Sequence, residues 1–392
     1  MTGDTATARL VLHIGDPKTG SSSIRRVLFG KGWQCDTRRL DYPDNLNAYE
    51  LANALGPSAN QGQAETRFKP YSDWLAQSQA DVAAISGKTF SMLDPKLVAA
   101  AVDRYFPNHG AGMQVVAHAR PHVSRIMSAY GQRTKAGRIQ RSLKAFLAAA
   151  RPKKRMTFHD RFDMWRKVFG DRFVLRPMER QALRDGDVVA DFLGIALDGA
   201  PFRLLTPTHV NSSMSIEALA GLRVVHDVLE NFALGGNSQH TIGARISELV
   251  AEAGGAGTKL RLSQAMYDKI YKVCIGDAEL LDRDFFGAPV MTGALQNAAN
   301  DALATAQNWS AEAFFPEAVL KDLRKHARRL GRNFQTHPGI WETAQRREKG
   351  FASELDDDEP LLPEALGVIS QVDEILAGIV ALLIARPSLP VA

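Results

Sequence analysis

A chain of 392 residues with 45% hydrophobic and 23% charged residues can bury an enzyme-sized core, and its length suits two or three domains. Its two cysteines, Cys35 and Cys274, argue against a disulfide framework or a zinc site. The formal net charge of +5 is modest and says only that anionic ligands are tolerated.

The first element is the apolar run Leu10-Val11-Leu12-His13-Ile14, which predicts a strand over residues 9 to 14, buried on both faces of a parallel sheet. Its early start leaves no room for a signal peptide, so a cytoplasmic protein is expected. The stretch HIGDPKTGSSSI follows, with Gly15 and Gly20 spaced as in a G-x-x-x-x-G-K-[ST] phosphate loop. The residue after Gly20 is Ser21, however, and the lysine, Lys18, lies inside the loop. Ile24, Val27 and Leu28 then mark the buried face of a helix. In a strand, loop and helix of this kind the amides of residues 20 to 23 are first-turn donors aided by the helix dipole. Gly20 admits close approach of the backbone, and Ser21, Ser22 and Ser23 supply hydroxyls. Serines and a glycine also cap helices, but capping needs neither Lys18 nor Gly15.

Further strands are expected at Val82–Ser86, Gln114–Ala119 and residues 172–176, with amphipathic helices at 94–105 and 158–169 between them. This alternation predicts an α/β fold, a P-loop-type parallel sheet flanked by helices. From about residue 210 the pattern is helical, clearest at 215–228 and 263–286. Beyond Gly287 the composition changes, with a basic run at 321–332 and an acidic run at 354–359 followed by Pro360. An α/β domain over 1–290 and a mainly helical C-terminal extension over 291–392 are expected, with the acidic run a solvated loop. The apolar stretch 375–385 is eleven residues long, too short to span a bilayer, and reads as a packed helix.

A second constellation concerns the ligand. The strand Val115-Val116-Ala117-His118-Ala119 ends in Arg120-Pro121, and a proline can open the helix that Val123, Ile126, Met127 and Tyr130 outline. Arg120 therefore falls at the C-terminal edge of the sheet, where open parallel sheets bind ligands and where the glycine loop also lies. Ser128 follows about two helical turns later. A guanidinium fork with a hydroxyl makes a phosphate clamp, although strand-end arginines also make structural ion pairs. His13 and His118 read as structural.

Together the two motifs resemble those of sulfotransferases that use 3′-phosphoadenosine-5′-phosphosulfate, in their bacterial branch. HIGDPKTGSSSI is similar to the 5′-phosphosulfate loop, and ARPHVSRIMSAYGQRTKAG to the 3′-phosphate motif. The likeness continues in FGDRFVLRPMERQALRDGDVVADFL and NSSMSIEAL and fades after DAELLDRDFFG, so it covers about three quarters of the chain. It implies that Lys18, Thr19, Gly20, Ser21 and Ser22 meet the 5′-phosphosulfate and that Arg120 and Ser128 meet the 3′-phosphate. It also implies transfer of a sulfuryl group to an acceptor hydroxyl, with adenosine 3′,5′-bisphosphate (PAP) as product.

That chemistry accounts for the displaced lysine. A kinase neutralises a triphosphate with Mg²⁺ and a lysine along the β- and γ-phosphates. A sulfuryl group carries one negative charge, and charge develops on the oxygen bridging sulfur and phosphorus. Lys18 can hydrogen-bond that atom without a metal, a contribution of roughly 10² to 10³ in rate for a preorganised donor. In many bacterial relatives the next strand ends Ser-Ser-Glu, whereas here AISGKTF puts Lys88 in the glutamate's place. A lysine of ordinary pKa, about 10.4, is a poor base. Either Lys88 binds the sulfuryl group or an anionic acceptor, or His122 or Asp94 is the base, or the chain binds nucleotide without turnover. The basic stretch Arg133, Lys135, Arg138, Arg141 and Lys144, followed by 151–155, suits an acidic glycan as acceptor and equally a solvated face. It lacks the interleaved aromatics of a nucleic-acid surface. Two rivals stand beside the sulfotransferase: a P-loop kinase or NTPase, which wants a lysine after Gly20, and a non-catalytic nucleotide-binding scaffold.

Overall fold

The computed structural model describes residues 7–16, 18–44, 47–56, 61–87, 89–138, 142–150, 156–208, 214–234, 238–254, 257–348 and 363–385. The strands are β1 (Arg9–His13), β2 (Trp33–Gln34), β3 (Leu40–Asp41), β4 (Val82–Ser86), β5 (Gln114–Ala119), β6 (Phe173–Pro177) and β7 (Arg203–Leu204). The α-helices up to the middle of the chain are α1 (Ser21–Phe29), α2 (Tyr49–Ala54), α3 (Gln61–Gln77), α4 (Pro95–Tyr105), α5 (His122–Lys135), α6 (Leu143–Ala150), α7 (His159–Phe169) and α8 (Val188–Ala196). Beyond them come α9 (Ile216–Leu229), α10 (Ser238–Glu252), α11 (Gln264–Leu281), α12 (Val290–Asn297), α13 (Glu317–Thr336), α14 (Ile340–Glu348) and α15 (Pro363–Ile384).

The chain forms two compact units that interleave in sequence. The first comprises Met1–Arg125, Lys154–Val210 and Lys269–Asn300, and the second Ile126–Lys153, Asn211–Asp268 and Asp301–Ala392. The single boundary expected near residue 290 falls inside the last piece of the first unit.

The first unit is an α/β layer structure. Its sheet has the order β3-β4-β1-β5-β6, and every pairing is parallel. The four longer strands lie within a residue of their predicted places, because runs such as Val82-Ala83-Ala84-Ile85 have no polar face to show to water. On one side of β1, Val11 joins Ile24, Val27 and Leu28 of α1 and Val189, Phe192 and Leu193 of α8 in one apolar cluster. Leu10 and Leu12, pointing the other way, are also buried. Each such side chain contributes roughly 1.5 to 3 kcal/mol by leaving water. The chain steps from β4 across β1 to β5, so the segments leaving β1, β4 and β5 all issue from the same edge of the sheet. The short β3 and the antiparallel pair β2–β7 carry no sequence pattern of their own.

The second unit is helical. Its core gathers Leu219, Leu222, Val225 and Leu229 of α9, Ile242 and Ile246 of α10, Leu320, Leu323 and Leu330 of α13, and Trp341 of α14. Val372, Ile375, Leu376, Ile379, Val380 and Leu383 of α15 complete it. α15 begins well before the apolar stretch seen in the sequence. By length and composition alone this 22-residue helix, with a mean hydropathy of 1.9 over an 18-residue window, is enough to cross a membrane. Seven of them are buried within the unit, and the Asp373 carboxylate accepts a 3.0 Å hydrogen bond from the Trp341 indole.

Candidate functional site

The loop after β1 is built by backbone conformations that few residues tolerate. Gly15 has φ 34°, Lys18 φ 71° and Gly20 φ 76°. Gly20 is also packed so that an added Cβ would lie 2.5 Å from Val188 Cγ1, which excludes any side chain twice over. It occupies the position before α1, and its carbonyl accepts the Ser23 and Ile24 amides at 2.9 and 3.1 Å. No side chain caps the helix. The amides of Ser21 and Ser22 have no intrahelical acceptor and face the positive end of the dipole.

The hydroxyls divide into two kinds. Thr19 is fully buried, and its Oγ1 donates to the Asp16 carbonyl at 2.7 Å. Ser21 Oγ approaches the same carbonyl at 3.4 Å. Both therefore brace the loop and offer a ligand their backbone. Ser22 is exposed and Ser23 half-buried.

Cations converge on this loop. Arg120, leaving β5, donates from Nη1 to the Lys18 carbonyl at 3.0 Å and from Nε to Ser124 Oγ at 3.2 Å, while no described residue engages Nη2. Burial lowers the Arg120 pKa, and Glu179 opposes the shift. The Asp16 side chain, fully buried inside the loop, pairs with Arg125 Nε at 3.1 Å and Arg161 Nη2 at 2.7 Å. Arg25 of α1 adds a further buried guanidinium. Lys18, Arg25, Arg120, Arg125 and Arg161 thus surround a loop whose own carboxylate is Asp16. Arginine stays charged even when buried, so the surplus is positive and suits an anion.

The remaining sequence-predicted residues fall as follows. His122 opens α5, is fully buried, stacks on Phe158 with ring centroids 4.5 Å apart, and sets Nε2 2.8 Å from Asp277 Oδ2. Asp277 also accepts the Phe158 and His159 amides, at 2.9 to 3.1 Å, and so ties α11 to the start of α7. Asp94 caps α4 by accepting the Lys96 amide at 2.9 Å. Lys88 lies outside the described residues, as do Arg141 and residues 151–155. Ser128 is half-buried further along α5 and belongs to the second unit. Arg133, Arg138 and Lys144 are exposed.

The two histidines read as structural are in the core. His13 Nδ1 is 2.7 Å from Ser86 Oγ, its partner in register across β1 and β4. Burial, with His118 and Arg25 nearby, lowers its pKa well below the ordinary value. His118 Nε2 is 3.1 Å from Asp191 Oδ2. Burial alone would raise the Asp191 pKa, but the hydrogen bonds from His118 and Arg176 hold it well below the carboxylate range.

Sequence reading missed Arg25, Arg125, Arg161, Asp277 and Ser91, whose Oγ lies 3.4 Å from Asp16 Oδ1, as neighbours of the site. Arg25 and Arg125 were within reach, since they stand on the two helices whose first turns the motifs define. Arg161 and Asp277 come from distant segments and carry no local signal. Among the described residues no three His, Cys, Asp or Glu side chains gather as metal ligands would. Comparison of the chain with protein-family models, curated proteins and solved structures gave no match in any of the three.

Proposed function

We propose that the protein is a sulfotransferase that moves a sulfuryl group from 3′-phosphoadenosine-5′-phosphosulfate to an acceptor hydroxyl, on a P-loop-type site. The observation that carries this reading is Arg120 Nη1 lying 3.0 Å from the Lys18 carbonyl, which sets a guanidinium against a glycine loop whose lysine is internal. In this reading the Ser21 and Ser22 amides and the Ser22 hydroxyl hold the 5′-phosphosulfate. Lys18 donates to the bridging oxygen, where negative charge grows as the S–O bond breaks. Arg120 takes the 3′-phosphate with the N–H groups that Lys18 and Ser124 leave over. The donor supplies the activated sulfuryl group, and the loop residues supply orientation and charge. The acceptor class that the exposed basic residues after α5 suit is an acidic glycan.

A second reading, nucleotide binding without turnover, is favoured by the engagement of both nominated bases. His122 is tied to Asp277 and Asp94 to the start of α4. Single-turnover assays with radiolabelled donor and a panel of glycans separate the two, since transfer to any acceptor excludes a pure binder.

The first test of the site is calorimetric titration with adenosine 3′,5′-bisphosphate, AMP, and ATP with Mg²⁺. The bisphosphate is expected to bind best. Arg120→Ala should weaken it by about 1.5 to 3 kcal/mol, the range for a hydrogen bond to a charged group, and leave AMP nearly unaffected. Preference for ATP with Mg²⁺ would overturn the donor assignment, and equal losses for the bisphosphate and AMP would place Arg120 elsewhere.

A further inference from the structure

Arg25 is one turn into α1 and only 6% exposed. Among the described residues it forms no ion pair, and its buried Nη1 has no hydrogen-bond partner. A buried guanidinium without a carboxylate is costly, since desolvation is repaid only by good pairing. The loop's carboxylate, Asp16, is committed to Arg125 and Arg161. Tyr42 is the nearby group that opposes the burial-driven lowering of the Arg25 pKa. Its own hydroxyl is buried and pushed well above the ordinary tyrosine value, so it stays a neutral phenol and is no counter-ion.

The other Arg25 contact points at the loop. Its Nη2 donates to Ser22 Oγ at 3.3 Å. A hydroxyl oxygen that accepts from a guanidinium turns its own proton elsewhere. Ser22 is exposed on the first turn of α1, on the side where the unpaired amides collect.

We infer that Arg25 is a positioning residue for an anion seated on the first turn of α1. It makes the Ser22 hydroxyl a donor toward that anion and places uncompensated positive charge beneath it. The ligand class is a terminal phosphate or sulfate group carried as a monoester or in an anhydride. This rests on the reading of the loop as an anion seat.

The test compares wild type with Arg25→Gln, Arg25→Lys and Ser22→Ala, using adenosine 3′,5′-bisphosphate and inorganic pyrophosphate as probes and thermal unfolding without ligand as control. Arg25→Gln should leave the ligand-free unfolding temperature unchanged or higher, because a costly buried charge is gone. It should weaken both probes roughly tenfold or more. Arg25→Lys should recover part of that affinity by keeping the charge. In the Ser22→Ala background the effect of Arg25→Gln should shrink, since part of it passes through the hydroxyl. A fall in ligand-free stability that Lys does not recover marks Arg25 as a structural pin and overturns the inference. Equal bisphosphate affinity in wild type and Arg25→Gln overturns it too, while sparing the proposed function. Arg25-dependent binding of pyrophosphate by a protein that ignores the bisphosphate does the reverse. Failure of wild type to bind either probe overturns both.

Discussion

At the scale of single residues, Asp16 decides the shape of the loop. Its side chain is fully buried between Arg125 and Arg161, and Ser91 Oγ lies 3.4 Å from its Oδ1. Its backbone carbonyl holds the Thr19 hydroxyl. Two arginines on one carboxylate leave a net positive charge, so Asp16 fixes cations near the loop without cancelling them. Removing one partner of a buried pair costs about 3 to 5 kcal/mol, because the others stay buried and uncompensated. Asp16→Asn is therefore expected to destabilise the protein by about 3 kcal/mol in urea unfolding. The loss should persist at high salt, which screens exposed pairs more than buried ones. A second change, Arg161→Met, should return part of it by removing one orphaned charge. Full stability in Asp16→Asn would mean that the loop is held by its backbone alone. None of this is legible in HIGDPKTGSSSI, where Asp16 looks like an ordinary turn residue. Its partners become neighbours only when α5 and α7 pack.

At the scale of elements, the parts that are locally determined could be read and those that depend on a distant partner could not. β1, β4, β5 and β6 are apolar runs whose burial on both faces shows in composition. The loop and the start of α1 show in the glycine spacing. By contrast β3 is two residues that pair in parallel with β4, and nothing at Leu40-Asp41 announces this. In the sequence the run at 321–332 stands out only as basic. It is one side of α13, whose Leu320, Leu323, Ala327 and Leu330 form a buried stripe. The junction of loop and helix tests how tightly these elements are fitted. Gly20→Ala meets two obstacles, the left-handed φ of 76° and the approach to Val188 Cγ1. The conformational part is worth roughly 1 to 2 kcal/mol, and overpacking adds to it. Val188→Ala should relieve the contact but not the strain. In a double-mutant cycle the pair should lose less stability than the two single changes summed. Strict additivity would show that no close contact joins Gly20 to α8.

At the scale of the molecule, His13 in the first unit and His226 in the second are buried with lowered pKa values, so acid should weaken both units. In the second unit His226 of α9 hydrogen-bonds from Nε2 to the Lys135 carbonyl at 2.9 Å, and its Nδ1 is buried with no partner. Gly243 of α10 lets that carbonyl approach, since an added Cβ would strike it. Burial drives the His226 pKa down to about 4, against a small upward pull from the carbonyl. Protonation at Nδ1 would bury a charged N–H with nothing to receive it. The folded pKa lies below the unfolded value of about 6.5, so the unfolded state binds the proton first. The stabilisation is complete above about pH 6.5, declines as the pH falls, and is gone below about pH 4. Between pH 7 and pH 4.5 it should amount to about 2 to 3 kcal/mol. Glu217, held low by hydrogen bonds despite burial, loses its contribution only below its unfolded pKa of about 4.3. Asp227, raised by burial against the pull of Arg223, changes stability in the opposite direction, since its neutral form suits the fold. Hydrogen exchange in α9 and α10 reads this unit by itself. Protection there should fall between pH 7 and pH 4.5 in wild type after correction for intrinsic exchange. In His226→Gln it should start lower, because a packed ring is lost, and change much less over the same interval. An equal pH dependence in the two proteins would assign the acid sensitivity of this unit to groups other than His226.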